Sequence, residues 1–119
     1  MRILVAEDEA IIAQSLAMML EELGYQVVGP VATVAEALRL TAGRAMDVAL
    51  VDYRLRDGTT DDLAAALREG GIPFLLMSGF DRTTLARLGA PILQKPFRQE
   101  ELATAIAALL PPVGGAEPS

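Results

Sequence analysis

The chain has 119 residues, a hydrophobic content of 52% and a formal net charge of -6, a composition typical of one acidic domain. The acidic balance argues against direct binding to nucleic acid, and no apolar run approaches the roughly 18 to 20 residues of a membrane span. The absence of cysteine excludes disulfides and thiolate metal sites, and residues 1–7 read as a strand rather than an export signal, which favours the cytoplasm.

Five apolar runs predict β-strands. In chain order they lie at 3–6, 26–31, 48–51, 74–77 and 92–93, and the run at 26–31 is the weakest. None of the other four alternates polar with apolar residues. Continuous apolar runs of this length are typical of strands that are buried on both faces of a parallel sheet.

Helical patterns separate the runs. Spacings of four, three and four residues, typical of one helix face, join Ile12, Leu16, Met19 and Leu23. The next helix, at 34–40, opens with Thr33 and Glu36 as a possible capping box. A third helix is predicted at 61–68, and the last carries Leu102, Ile106 and Leu109 on one face.

Glycines mark the expected helix ends. A left-handed C-terminal cap is expected at Gly24, Gly43, Gly70 and Gly89. The segment between Ser78 and Pro91 is short, so we expect a small or irregular helix there, with Asp81 as its N-cap.

Strand and helix thus alternate five times, and the short connections favour right-handed crossovers. The sequence predicts an α/β fold with an open, doubly wound, five-stranded parallel sheet and helices on both faces. We expect this domain to occupy residues 1–110. Residues 111–119 are rich in proline and glycine and are expected to form a flexible C-terminal tail.

Polar residues follow four of the five predicted strands, at the edge where such sheets bind ligands. They are Glu7 and Asp8, Asp52, Ser78 with Gly79, and Lys95 with Pro96. Three converging carboxylates require a cation, and hard oxygen ligands select Mg²⁺ or a similar ion. A hydroxyl and an ammonium beside them suit phosphoryl chemistry, in which Asp52 is the expected nucleophile.

The strings ILVAEDE, VDYRL, MSGF and QKPF, which carry these residues, resemble the receiver domain of bacterial response regulators. The resemblance covers essentially the whole chain before the tail and implies a flavodoxin-like strand order, 2-1-3-4-5. It also implies that Asp52 accepts a phosphoryl group. By the same resemblance, Mg²⁺ is held by Asp8, Asp52 and the main-chain carbonyl of Arg54, with Glu7 acting directly or through water.

The resemblance assigns roles to the remaining residues of the site. Ser78 is expected to hydrogen-bond the phosphoryl group, and Gly79 to leave space for the donor. Lys95, the single lysine of the chain, is expected to pair with a phosphate oxygen, and the Lys95–Pro96 bond is expected to be cis. Receivers often carry an aromatic residue three positions before this lysine, where this chain has Ile92.

Simpler interpretations stand beside these. Asp8 is a possible helix cap, Ser78 a turn hydroxyl and Lys95 a solvated surface charge. Turn and helix-start preferences account for two other acidic pairs, Asp57–Gly58 and Asp61–Asp62, without chemistry.

Two functions of different kinds follow. The first is a stand-alone phospho-switch, loaded by a histidine kinase or histidine phosphotransfer protein and read by a downstream protein partner. The alternative is a phosphorylation-independent adaptor or phosphate sink, which Ile92 favours. A phosphatase with an aspartyl nucleophile is a third reading, but Arg54 occupies the place of its second Asp. We expect no enzyme activity beyond the chain's own phosphorylation and dephosphorylation.

Overall fold

The computed structural model describes residues 1–79 and 88–110. The helix expected after Ser78 falls largely at 80–87, outside the described residues, and so does its expected cap, Asp81. The tail expected at 111–119 also lies outside them. Within the described part, no helix is both long and apolar enough to cross a membrane.

The central sheet has five parallel strands, each bounded within one residue of its predicted position. They are β1 (Arg2–Ala6), β2 (Gln26–Val31), β3 (Val48–Asp52), β6 (Phe74–Ser78) and β7 (Ile92–Gln94), and between β3 and β6 lie the short strands β4 (Arg54–Leu55) and β5 (Gly58–Thr59). The large sheet has the order β2-β1-β3-β6-β7. This is the expected order 2-1-3-4-5, because β4 and β5 pair only with each other.

Helices cover both faces of the sheet, as predicted. They are α1 (Ala10–Glu22), α2 (Val34–Ala42), α3 (Asp61–Glu69) and, last among the described residues, α4 (Gln99–Leu109). Alternate strand residues reach opposite faces: Leu4 packs with the α2 and α3 side, while Ile3 packs with the α1 and α4 side. Both residues are fully buried, so the sheet is the centre of two apolar layers.

The start of α2 and the left-handed glycine after α1 are confirmed, and Gly89 has a left-handed φ, although the helix that it was expected to end lies outside the described residues. Thr33 Oγ1 accepts a hydrogen bond from the Glu36 backbone N–H at 3.1 Å. The Glu36 carboxylate accepts from the N–H of Ala32 at 3.4 Å, one residue before the position that a capping box uses. Gly24 and Gly89 have φ values of +95° and +71°, as a left-handed turn requires.

At the ends of α2 and α3, the expectation of a left-handed glycine is wrong by one residue. Gly43 and Gly70 have φ values of -81° and -80°. Each backbone N–H still donates to the carbonyl four residues earlier, so the helical turn continues through the glycine. Positive φ values follow at Arg44 (52°) and Gly71 (69°).

The sequence does not predict the hairpin formed by β4 and β5. In it, Arg54 pairs with Thr59 and Leu55 with Gly58, antiparallel. Strands of two residues are too short to show a periodic pattern. Because β4 begins two residues after the end of β3, the hairpin lies beside the carboxyl edge of the large sheet.

Candidate functional site

Parallel register aligns the carboxyl ends of β1, β3, β6 and β7. Glu7 directly follows β1, Asp52 ends β3, Ser78 ends β6 and Lys95 directly follows β7. The fold therefore brings these four residues to one edge of the sheet from positions as far apart as 88 residues. Three of these strands, β1, β3 and β6, are buried up to their carboxyl ends, and β7 is half-buried.

Three carboxylates meet at this edge. Glu7, Asp8 and Asp52 each offer an oxygen, and these oxygens lie within 4.8 Å of one another. Glu7 is 2% exposed and Asp52 is 9% exposed, whereas Asp8 is half-buried. Hard oxygen donors grouped in this way, with a partly open approach, suit a divalent cation such as Mg²⁺.

An open cavity of about 380 Å³ gives access to the carboxylates. Besides Asp8 and Asp52, its lining includes Glu9, Arg54, Ser78 and Gly79. Ser78 is 1% exposed as a residue, and its main-chain carbonyl accepts a hydrogen bond from the Lys95 N–H at 2.9 Å. The cavity is thus bordered by the acids on one side and by the end of β6 on the other.

Lys95 joins two of the three acids. Its Nζ atom lies 2.8 Å from Glu7 Oε1 and 2.7 Å from Asp52 Oδ2. Burial alone would lower the pKa of this ammonium, but the hydrogen bonds to Asp52 and Glu7 outweigh burial and raise that pKa above 10.5. Lys95 is therefore a permanent cation in the middle of the site. The interpretation of Lys95 as a solvated surface charge is wrong.

Burial dominates the chemistry of Glu7. Desolvation raises the pKa of its carboxyl from 4.5 to about 7, although hydrogen bonds from Lys95 and from the Glu9 backbone N–H lower it. The Glu9 N–H donates to Glu7 Oε2 at 3.1 Å. Without a further cation, Glu7 is thus about half protonated near neutral pH.

The geometry decides two more of the sequence interpretations. The N-cap residue of α1 is Glu9, and no side chain caps that helix, so Asp8 is not its cap. The Lys95–Pro96 bond is cis, as expected, and the Gly29–Pro30 bond is cis as well.

One residue near the site was missed by the sequence interpretation. Asp57, assigned to a turn, lies between β4 and β5, and its carboxylate accepts hydrogen bonds from the backbone N–H groups of Val34 and Ala35 at 2.7 and 3.2 Å. It therefore caps α2 from 22 and 23 residues away. No local spacing reports such a contact, because helix-capping patterns are read within three or four residues.

A five-stranded parallel sheet with three carboxylates and a lysine at its carboxyl edge defines a doubly wound α/β domain with a candidate cation site. The sequence model of one family, the response regulator receiver domain, matches residues 3–107. The chain belongs to this family.

Known proteins resemble the chain in sequence and in fold. The transcriptional regulatory protein PdtaR of Mycobacterium tuberculosis is 35% identical over 113 residues, which are 88% of this chain and 54% of PdtaR. The chain thus spans about half the length of that relative. The receiver domain of the sensor histidine kinase PA1611 of Pseudomonas aeruginosa is 26% identical, with a TM-score of 0.81 over 91% of this chain and 95% of that one. That structure holds a magnesium ion in its active site cleft.

A third similar protein is the response regulator PhyR of Brucella abortus. Its structure is 30% identical to this chain, with a TM-score of 0.79 over 92% of this chain and 47% of that one.

Proposed function

We propose that the chain is a phosphoacceptor response regulator of a two-component or phosphorelay pathway. In this proposal Asp52 takes a phosphoryl group from a phosphohistidine of a histidine kinase or phosphotransfer protein, in a Mg²⁺-dependent step. The observation that carries the proposal is the position of Asp52. Its carboxylate ends a central strand, lies within 4.8 Å of the Glu7 and Asp8 oxygens and is paired with Lys95 at 2.7 Å.

The step is a displacement at phosphorus. A carboxylate oxygen of Asp52 forms a bond to phosphorus, the bond from phosphorus to the donor histidine nitrogen breaks, and that nitrogen leaves with the electron pair and takes a proton from solvent. The transferred group carries its charge on three oxygens. Lys95 stabilises that charge with its ammonium, and Ser78 lies at the end of the adjacent strand to donate a hydrogen bond.

Glu7, Asp8, Asp52 and the main-chain carbonyl of Arg54 are the proposed ligands of Mg²⁺, either directly or, for Glu7, through water. The bound ion would neutralise carboxylate and phosphoryl charge. The Asp8 and Asp52 oxygens line the open cavity, so they offer oxygen ligands that the solvent and a phosphoryl group can also reach.

The proposed role is that of a cytoplasmic switch rather than an enzyme with a separate substrate. The chain would catalyse only its own phosphorylation and dephosphorylation, and the phosphorylated surface would bind a downstream protein. A phosphorylation-independent adaptor or phosphate sink is the second candidate. Ile92 supports it, because this half-buried aliphatic side chain packs against the core and cannot act as an aromatic switch.

Phosphoryl incorporation from acetyl phosphate tests the first candidate. The full chain is incubated with acetyl phosphate and Mg²⁺, and intact mass is compared between the wild type, Asp52→Asn and the control Asp62→Asn, which changes an exposed acid on α3. We expect one labile phosphate on the wild type and on Asp62→Asn, and none on Asp52→Asn. A wild type that binds Mg²⁺ but gains no phosphate would favour the adaptor.

A further inference from the structure

Asp57 connects the hairpin of β4 and β5 to the first turn of α2, and the same hairpin begins with Arg54. We propose that Asp57 is a positioning residue for the metal site. Its hydrogen bonds to the first turn of α2 hold the hairpin, and therefore the main-chain carbonyl of Arg54, beside the acidic cluster. This inference rests on the proposed function, since it requires a cation at the cluster.

The contacts at the tip of the hairpin are specific. The Asp57 carboxylate uses both oxygens, Oδ1 for the Val34 N–H at 2.7 Å and Oδ2 for the Ala35 N–H at 3.2 Å. Beside them, the Arg56 N–H donates to the carbonyl of Ala32 at 3.1 Å. The N–H groups of Val34 and Ala35 belong to the first turn of α2, where they have no partner within the helix. The helix dipole also favours an anion at this end. They lower the pKa of the Asp57 carboxyl below 3.8, so it is ionised at neutral pH.

The β4–β5 hairpin has little stability of its own, so its position depends on contacts with neighbouring segments. It contains two residue pairs, and among residues 54–59 Leu55 is buried while the other five are exposed. An isolated two-stranded ladder is at best marginally stable in water, and this one is much shorter than an average hairpin. Its base is tied to the site by the Arg54 N–H, which donates to Asp52 Oδ1 at 3.3 Å. Its tip is held by the two hydrogen bonds of the Asp57 carboxylate and by the hydrogen bond from the Arg56 N–H to the Ala32 carbonyl.

The connection from β2 to α2, which Asp57 contacts, also contacts Glu7 of the acidic cluster. At the end of β2, the carbonyl of Val31 accepts a hydrogen bond from the Glu7 N–H at 2.9 Å. The connection from β2 to α2 therefore contacts both an acid of the cluster and the tip of the hairpin. Through this connection, Asp57 fixes the distance between Glu7 and the hairpin that carries Arg54.

The Mg²⁺ affinity of two variants distinguishes a positioning role of Asp57 from a role in helix capping alone. Thr33 caps the same first turn of α2, and its side-chain hydrogen bonds, at 3.1 Å to the Glu36 N–H and 3.1 Å to the Glu36 carboxylate, stay within that turn. The full chain with Asp57→Ala is compared with Thr33→Ala by calorimetric titration of Mg²⁺ alone. We expect the dissociation constant to rise about tenfold for Asp57→Ala, as for other groups that orient metal ligands, and less than about twofold for Thr33→Ala. Asp57→Asn keeps one acceptor oxygen, so an intermediate loss is expected.

Hydrogen exchange provides a second readout that does not depend on phosphorylation. If the hairpin couples the metal to α2, Mg²⁺ must slow exchange of the Val34 and Ala35 amides in the wild type, and this protection must vanish in Asp57→Ala. Equal Mg²⁺ affinities of Asp57→Ala and Thr33→Ala would overturn the inference and leave the proposed function intact. A wild type that binds no Mg²⁺ would overturn the proposed function, and this inference with it.

Discussion

Replacing Lys95 with methionine removes the cation that two acids share while keeping most of the side-chain volume. The Glu7 side chain is fully buried, that of Asp52 is 13% exposed and that of Lys95 is 20% exposed. Removing one partner of a buried ion pair costs about 3–5 kcal/mol. The cost here is expected to be smaller, about 2 kcal/mol at pH 8, because part of Lys95 reaches solvent and Glu7 can take up a proton.

The loss of stability in Lys95→Met depends on pH because Glu7 titrates. Its pKa in the folded chain, about 7, is raised above the ordinary 4.5, so the stability that it contributes is fully present below 4.5 and is lost as pH rises through 7. The hydrogen bond from Lys95 lowers this pKa in the wild type. Without Lys95 the pKa rises further, and the penalty for ionising Glu7 grows between pH 5 and pH 8.

Urea unfolding in EDTA measures this effect. With a slope of about 1–2 kcal/mol per molar urea, a loss of about 2 kcal/mol lowers the unfolding midpoint by about 1–2 M at pH 8, and by less at pH 5. Arg98→Met is the matched control. Its guanidinium is 81% exposed and lies 3.9 Å from Glu101, so the midpoint should barely change. In the presence of Mg²⁺ instead of EDTA, the difference in urea midpoint between Lys95→Met and the wild type should decrease, since the divalent cation replaces the lost positive charge. Equal midpoints for Lys95→Met and Arg98→Met at pH 8 would refute the reasoning.

Four further predictions concern the fold. Leu50→Ala, at a fully buried position of β3, should lower the free energy of unfolding by about 3 kcal/mol in urea titrations, and a loss below about 1 kcal/mol would contradict the two-layer core. Thr60→Val should leave the thermal midpoint unchanged or raise it, because the Thr60 hydroxyl is buried without a hydrogen-bond partner among the described residues. Thr33→Val, in the same assay, should cost about 1 kcal/mol as its capping bond is lost. For Asp57→Asn, the loss of stability should be constant from pH 5 to 8 and shrink as pH falls below 3.8. The lowered pKa of Asp57 means that its contribution to stability is present above 3.8 and is lost as pH falls through the folded value. A stability difference between Asp57→Asn and the wild type that does not shrink as pH falls below 3.8 would count against this capping role.

The three central strands, β1, β3 and β6, were predictable because they are buried on both faces, whereas the edge strands β2 and β7 are only partly buried. A strand such as β3, in which all five residues are buried, must appear in the sequence as a continuous apolar run. The run also fixes where the strand ends, since a polar residue such as Asp52 is tolerated only at the edge. The same signal therefore located the strands and the residues that lie at their carboxyl ends.

Contacts between distant segments were not predictable in this way. The β4–β5 hairpin has strands of two residues, and the capping of α2 by Asp57 joins positions 22 and 23 residues apart. A turn of the type Asp–Gly has the same local pattern whether its carboxylate faces solvent or a helix. The position of the left-handed residue after α2, at Arg44 rather than at Gly43, was likewise not predicted from the local sequence.

Charge explains why the acids, the lysine and a divalent cation suit one another. With Glu7 ionised, three carboxylates and the ammonium of Lys95 leave two negative charges uncompensated in a site where Glu7 is buried. Burial raises the pKa of Glu7 to about 7, and the nearby charge of Asp52 adds a smaller contribution in the same direction, so this carboxyl binds a proton more readily than an exposed glutamate does. A divalent ion would supply the missing positive charge and favour the ionised form of Glu7. Lys95 alone therefore does not neutralise three ionised acids, and a phosphoryl group on Asp52 would add further negative charge, which is why the proposed function includes cation binding as a condition for phosphorylation.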